Sequence, residues 1–267
     1  GAAMLTPLFG GSAGREGAAL QLGGSAASFL SKYLGLKRQS RRVLIMAGMS
    51  SVFAGLFGTP LTAALFCMEF ESVGTIFSPA LLPCYLAAFT ASSVSGLLGV
   101  HAEGHLLETA AGLNLGNLWA YLLLAILISL LGCVMVRVFH GAEHLSAHHV
   151  KNPWVRIFAG GILVAALTYL VGDHRFNGAG MDMALTAVAG QTDWYNFLMK
   201  MLFTAVTLAA GFKGGEIVPT FCIGATFGCL FGQIAGLSPS LCAAAGIVIP
   251  FRHAASINVP IAVTRPL

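Results

Sequence analysis

Glu16, set in Gly14-Arg15-Glu16-Gly17, opens an apolar segment that continues to Leu36. A carboxylate at the head of a membrane-depth helix costs free energy, so its presence points to a function such as ion binding or proton transfer. A second acid stands in a similar frame. Glu216, in Lys213-Gly214-Gly215-Glu216-Ile217-Val218-Pro219, lies 200 positions after Glu16 and precedes another apolar run. A helix start offers unpaired backbone N–H groups and the positive end of a macrodipole. Glycines leave those amides bare, so an anion can approach the backbone closely. A carboxylate held there resembles a tethered anion; protonating it removes the competitor and lets it carry the proton. Glu16 also has a bland reading, as a partner for its own helix dipole, which membrane depth disfavours. For Glu216 the dipole reading, or an ion pair with Lys213, stands level with the functional one, and Pro219 suits a first helical turn. Together the two acids read as a duplicated ion site rather than an enzyme's active site.

The elements that must hold these acids are membrane helices. Residues are 57% hydrophobic and only 9% charged, whereas soluble domains are about a quarter charged, and mean hydropathy is +0.82. Apolar runs lie near 17–36, 43–70, 78–100, 118–139, 154–171, 194–212, 217–236 and 241–263. Several reach the roughly 20 residues needed to span a bilayer. The first has no basic stretch before it and does not read as a signal peptide. Polar stretches at 101–117, 140–153 and 173–193 read as extramembrane loops. The fold class is therefore all-α and integral to a membrane. Cys67, Cys84, Cys133, Cys222, Cys229 and Cys242 sit inside apolar runs with no metal-type spacing, as small core hydrophobes. The net charge of +4 concentrates in loops, chiefly 37–42, which favours a cytoplasmic loop and gives no support to nucleic acid binding.

The 33 glycines cluster at segment starts and breaks, the pattern of repeat-built transporters with broken helices. Gly24 corresponds to Gly224, and Pro60 in 58–63 to Pro260 in 258–263; 46 positions separate Gly14 from Pro60 and Gly214 from Pro260. Repeat-like halves of about 1–100 and 194–267 within a single transmembrane domain, 1–267, follow. Other ionisable groups read as structural. Glu69 bonds neighbouring backbone, Glu71 reaches water, Lys200 snorkels to the interface, and Arg15 orients the loop as a salt-bridge partner of Glu16. His140, His144 and His148 share one helix face, but lack the carboxylate or cysteine company of a metal centre and read as a polar juxtamembrane face. No phosphate loop, nucleophile elbow or zinc-protease motif occurs, and no metal or cofactor is called for.

The motifs resemble those of the CLC family of chloride channels and anion/proton antiporters. Gly14-Arg15-Glu16-Gly17 is similar to its GREG motif; Gly214-Gly215-Glu216-Ile217-Val218-Pro219 occupies the place of its GxFxP motif; and Gly58-Thr59-Pro60-Leu61-Thr62-Ala63 resembles its N-x-P-L-x-G helix. The resemblance implies the CLC fold, two inverted halves of broken helices, and a homodimer in a lipid bilayer with one pathway per subunit. It makes Glu16 the gating and proton-coupling carboxylate and the amides of Ile217 and Val218 the anion ligands. Gly14, Arg15, Gly17, Gly214, Gly215 and Pro219 support the motifs.

The approach Phe9-Gly10-Gly11-Ser12-Ala13 and the acid within Gly-Gly-Glu-x-x-Pro look like the fluoride-exporting branch, with Glu216 its branch-specific acid. Phe70 after Glu69 stands where chloride/proton members often carry a second glutamate for proton relay, and Val218 stands where the fluoride branch commonly has threonine. Against the family pattern the chain reads as a central portion, incomplete at both ends. Fluoride/proton antiport across a bacterial inner (plasma) membrane is the implied activity. A chloride channel or chloride/proton exchanger is the alternative within the family, and a non-transporting membrane scaffold the alternative outside it.

Overall fold

In the computed structural model, residues 2–71, 77–100 and 115–255 are described, and among them every regular element is a helix. The first five are α1 (Ala2–Leu8), α2 (Glu16–Tyr33), α3 (Arg38–Phe57), α4 (Pro60–Glu71) and α5 (Leu81–Leu97). Six follow: α6 (Leu118–His149), α7 (Pro153–Val171), α8 (Met181–Val188), α9 (Asn196–Ala209), α10 (Ile217–Ala235) and α11 (Pro239–Ala255). The proline motif at 258–263, the stretch 101–114 and the side chain of Glu71 lie outside the described residues.

The chain forms two compact units, one holding α1 with α6–α11 and the other α2–α5, the chain passing from one to the other between Arg15 and Glu16. In the α2–α5 unit, α3 packs against its three companions. α2 and α3 meet at small residues: a Cβ on Gly23 would stand 2.5 Å from the Gly48 carbonyl oxygen. Such close backbone approach is the usual contact of apolar helices, which gain nothing from hydrophobic exclusion inside lipid. The apolar run at 43–70 is two helices rather than one. Gly58, at φ 68°, caps α3 by donating its N–H to Ala54 O (2.8 Å), and Pro60 starts α4, where a missing N–H loses nothing.

The other unit is built around α10, with 12 buried residues among its 19. It packs against α6, α8, α9 and α11. α7 lies at the opposite extreme, burying only Gly160, Val164 and Thr168, one residue per turn. The stretches Ser78–Leu97, α6, α7 and α10 are long and apolar enough to cross a membrane.

Two of the expected loops are partly helical. α6 runs for 32 residues to His149, about 48 Å of helix, because nothing before Lys151-Asn152-Pro153 stops it. Its length exceeds a hydrocarbon core of about 30 Å, which suits an exposed, histidine-rich end. Asn152 then caps α7, accepting from Trp154 N–H at 3.0 Å. Within 173–193, α8 forms because Met183, Ala184 and Ala187 pack with Phe176, Phe203, Cys222, Ala225 and Cys229. Arg175 ties the flanking loops, bonding Asp173 (2.7 Å), Asp193 (2.9 Å) and the Tyr195 hydroxyl (2.6 Å).

Phe176 is fully buried in that cluster, its ring centroid 5.6 Å from that of Phe203. Phe176→Ala is expected to destabilise this unit by about 3–5 kcal/mol through the cavity it leaves. A thermal-unfolding scan of the detergent-solubilised protein checks this; an unmoved midpoint would remove Phe176 from the core's anchors.

Candidate functional site

The two glycine motifs make a direct backbone contact. Gly14 and Gly215 pair antiparallel, Gly14 N–H donating to Gly215 O at 2.7 Å and Gly215 N–H to Gly14 O at 2.6 Å. The approach leaves no room for a side chain at 214, since a Cβ there would collide with the Cβ of Ala13. Beside this pair, Thr6 Oγ1 donates to Lys213 O at 2.6 Å. Thus residues some 200 positions apart are locked by short, local hydrogen bonds.

The segment leading to Gly14 is held by α9. Ser12 N–H donates to Thr207 Oγ1 at 2.9 Å, and Ser12 Oγ bonds Thr204 Oγ1 at 3.0 Å. Ser12, Thr204 and Thr207 are all fully buried. On the other side, Gly178 N–H donates to Gly11 O at 3.0 Å. A buried loop needs its polar backbone groups satisfied, and here α9 hydroxyls and neighbouring loops do so.

Glu216 precedes α10 as its N-cap, with φ −90° and ψ −11°, and its side chain makes no capping hydrogen bond. The first helical bond runs from Thr220 N–H to Glu216 O at 2.9 Å. Pro219 has no N–H to offer. That leaves the amides of Ile217 and Val218, for which no backbone carbonyl acts as acceptor among the described residues. Their side chains and Pro219 are buried, so the helix start is fixed by packing while, among the described residues, these two donors meet no backbone acceptor. Such a pair, at the positive end of a helix, is chemically suited to receive an anion.

Glu16 is the first residue of α2 and only 3% exposed; Arg15 before it is exposed and Gly17 after it half-buried. The register differs from the one the 200-residue spacing suggests. With Gly14 paired to Gly215, the helix starts at Glu16 in one motif and at Ile217 in the other. Glu216 therefore matches Arg15 in backbone position, and the two glutamates are not structural equivalents. The ion pair proposed between Glu216 and Lys213 is also absent: Lys213 is exposed, and its ammonium meets no carboxylate among the described residues.

Lys200 corrects a further expectation. It does not snorkel; it is fully buried, its Nζ donating to Phe176 O (3.0 Å) and Gly178 O (2.8 Å). Sequence reading also passed over Ser12, Thr204 and Thr207, although Lys200, Thr204 and Thr207 recur at i, i+4 and i+7 on one face of an apolar helix. Glu69 is half-buried on α4. His140, His144 and His148 are exposed on α6, and the His140 ring nitrogen lies 3.1 Å from the Val136 carbonyl of its own helix.

The sequence pattern of the family described as voltage gated chloride channel matches residues 1–264. The chain is 34% identical over 265 residues to a chloride/fluoride channel protein of Pseudomonas syringae pv. tomato, covering 97% of this chain and 58% of that one. It is 22% identical over 231 residues to the H(+)/Cl(−) exchange transporter ClcA of Yersinia pestis, covering 82% and 48%. Among solved structures, a CLC-type fluoride/proton antiporter superposes with a TM-score of 0.86 at 34% identity, over 96% of this chain and 65% of that one. A slow cyanobacterial Cl−/H+ antiporter shares the fold, with a TM-score of 0.70 at 20% identity, over 90% and 59%. The chain spans 58% of the Pseudomonas relative's length and 48% of the Yersinia one's. Its fold, paired glycine motifs and open helix start accord with these matches: the chain is an integral membrane member of the voltage gated chloride channel family.

Proposed function

We propose that this protein moves anions across a membrane and exports fluoride in exchange for protons. The observation that carries the reading is the start of α10: two amides with no backbone acceptor among the described residues, behind a glycine pair whose neighbour Gly214 has no room for a side chain. Fluoride is small and strongly hydrated, so clustered N–H donors and protonatable carboxylates are suitable replacements for its water. In this reading Ile217 and Val218 hold the anion through their amides, Glu16 gates and carries the proton, and Glu216 sets the preference for fluoride. Gly14, Arg15, Gly17, Gly214, Gly215 and Pro219 keep the two motifs in shape. The names of the Pseudomonas relative and of the antiporter structure, both at 34% identity, support fluoride. The repeat-like halves, about 1–100 and 194–267, belong to one transmembrane domain, and two copies form a homodimer in a bacterial plasma membrane.

Proteoliposomes loaded with fluoride, then with chloride, test this with ion-selective and pH electrodes. Fluoride efflux with opposing proton movement is expected. Chloride flux of equal size would move the protein to the chloride exchangers, as the Yersinia relative is named, and silence with both anions would leave a membrane scaffold. Glu216→Gln is expected to lower the fluoride-over-chloride preference about tenfold, equivalent to ~1.4 kcal/mol. An unchanged ratio would return Glu216 to a purely structural role.

A further inference from the structure

We infer that Lys200 is a positioning residue for the proposed anion site, holding the Gly11–Gly14 segment in register from α9 by way of the Phe176–Gly178 loop. It is a charged side chain at 0% exposure in a 14-residue apolar helix. An ammonium buried without compensation is strongly unfavourable, and among the described residues no carboxylate pairs with it. Its compensation comes from two loop carbonyls, Phe176 O and Gly178 O.

Those contacts continue toward the site. The residue whose carbonyl accepts from Lys200, Gly178, donates its own N–H to Gly11 O at 3.0 Å. From Gly11 the chain runs through Ser12, tied to Thr204 and Thr207, to Gly14, paired with Gly215. Lys200, Thr204 and Thr207 thus form one stripe: Lys200 grips the segment through the loop, and the threonines grip it directly. Thr204 adds a link, its Oγ1 donating to Lys200 O at 2.8 Å.

The loop is shaped to receive the ammonium. Gly180 has φ +85°, and a Cβ there would stand 2.7 Å from Lys200 Cε and 3.2 Å from Cys222 Sγ. The lock works in both directions, because the loop cannot withdraw without stranding a buried charge, and the charge cannot leave without orphaning two carbonyls.

The consequence for transport rests on the proposed anion-carrying role; the consequence for the backbone does not. Lys200→Met keeps the apolar stem and removes the donors. Lys200→Gln keeps two N–H donors on a shorter chain. In hydrogen–deuterium exchange on the purified protein, Lys200→Met is expected to speed exchange of the Gly11–Gly14 and Gly178 amides about tenfold or more, with α6 and α7 unchanged. In proteoliposomes its half-saturating fluoride concentration is expected to rise about tenfold while maximal efflux stays within about twofold, the signature of weakened ground-state binding. Lys200→Gln is expected to recover part of both effects. Unchanged exchange at Gly11–Gly14 would overturn the inference, as would protection lost throughout the unit or failure of both variants to fold, since Lys200 would then serve the whole fold. Altered exchange in a protein whose parent carries no fluoride would leave the inference standing and remove the transport reading.

Discussion

Glu16→Gln is expected to abolish proton movement coupled to fluoride while leaving the fold intact. Glutamine matches glutamate in size and keeps an oxygen acceptor, but it cannot take up and release a proton at physiological pH. Glu16 is the first residue of α2 and 3% exposed, so the substitution alters a buried group at a helix start. Losing the charge forfeits an interaction with the helix dipole of about 0.3–1 kcal/mol, too little to unfold the α2–α5 unit. The coupled proton flux is expected to fall by at least about 100-fold, the scale of removing a positioned proton-transfer group. Fluoride is expected still to leak through without protons, because the amides of Ile217 and Val218 are untouched. Simultaneous recording with fluoride and pH electrodes on proteoliposomes separates the two fluxes. Proton movement at the parent rate would sink the role assigned to Glu16. Its loss in Glu216→Gln instead would transfer that role to the second acid.

What could be read ahead of the structure was local. Gly14-Arg15-Glu16-Gly17 and Gly214-Gly215-Glu216-Ile217-Val218-Pro219 carry their own turn and helix-start chemistry, so the starts of α2 and α10 were visible in short stretches. The register between them was not. Equal spacing matched Glu16 with Glu216, whereas reciprocal hydrogen bonds match Gly14 with Gly215 and make Ile217 the counterpart of Glu16. Spacing along the chain does not report which carbonyl an amide reaches. The break between α3 and α4 was written in Gly58-Thr59-Pro60, but uninterrupted apolar composition on either side concealed it. α8 was hidden by its polar flanks for the opposite reason. Lys200 was misread because a charge in an apolar run suggests an interface, while the carbonyls that hold it lie 22 and 24 residues earlier and only tertiary packing brings them together.

Gly214→Ala is expected to reduce fluoride efflux about 10- to 100-fold, the effect of an ångström-scale displacement at a site built on fixed geometry. The added methyl would collide with Ala13 Cβ, and Ala13 is fully buried, so it cannot turn aside into solvent. The strands of backbone must separate, lengthening the 2.6 and 2.7 Å bonds between Gly14 and Gly215. Each such bond contributes about 0.5–1.5 kcal/mol net, small beside the stability of the unit, so the protein is expected to fold and to lose transport. Space at the contact can be returned from the other side. Ala13→Gly alone costs about 0.5–1 kcal/mol in chain entropy and leaves the pairing in place, so its efflux is expected near that of the parent. Ala13→Gly combined with Gly214→Ala is expected to recover most of the lost flux, a strong positive coupling between two residues in contact. A double variant no better than Gly214→Ala would show that the loss arises elsewhere than in this collision. A Gly214→Ala protein transporting at the parent rate would mean that the tight pairing of the glycine motifs does not set the geometry of the anion site proposed at the amides of Ile217 and Val218.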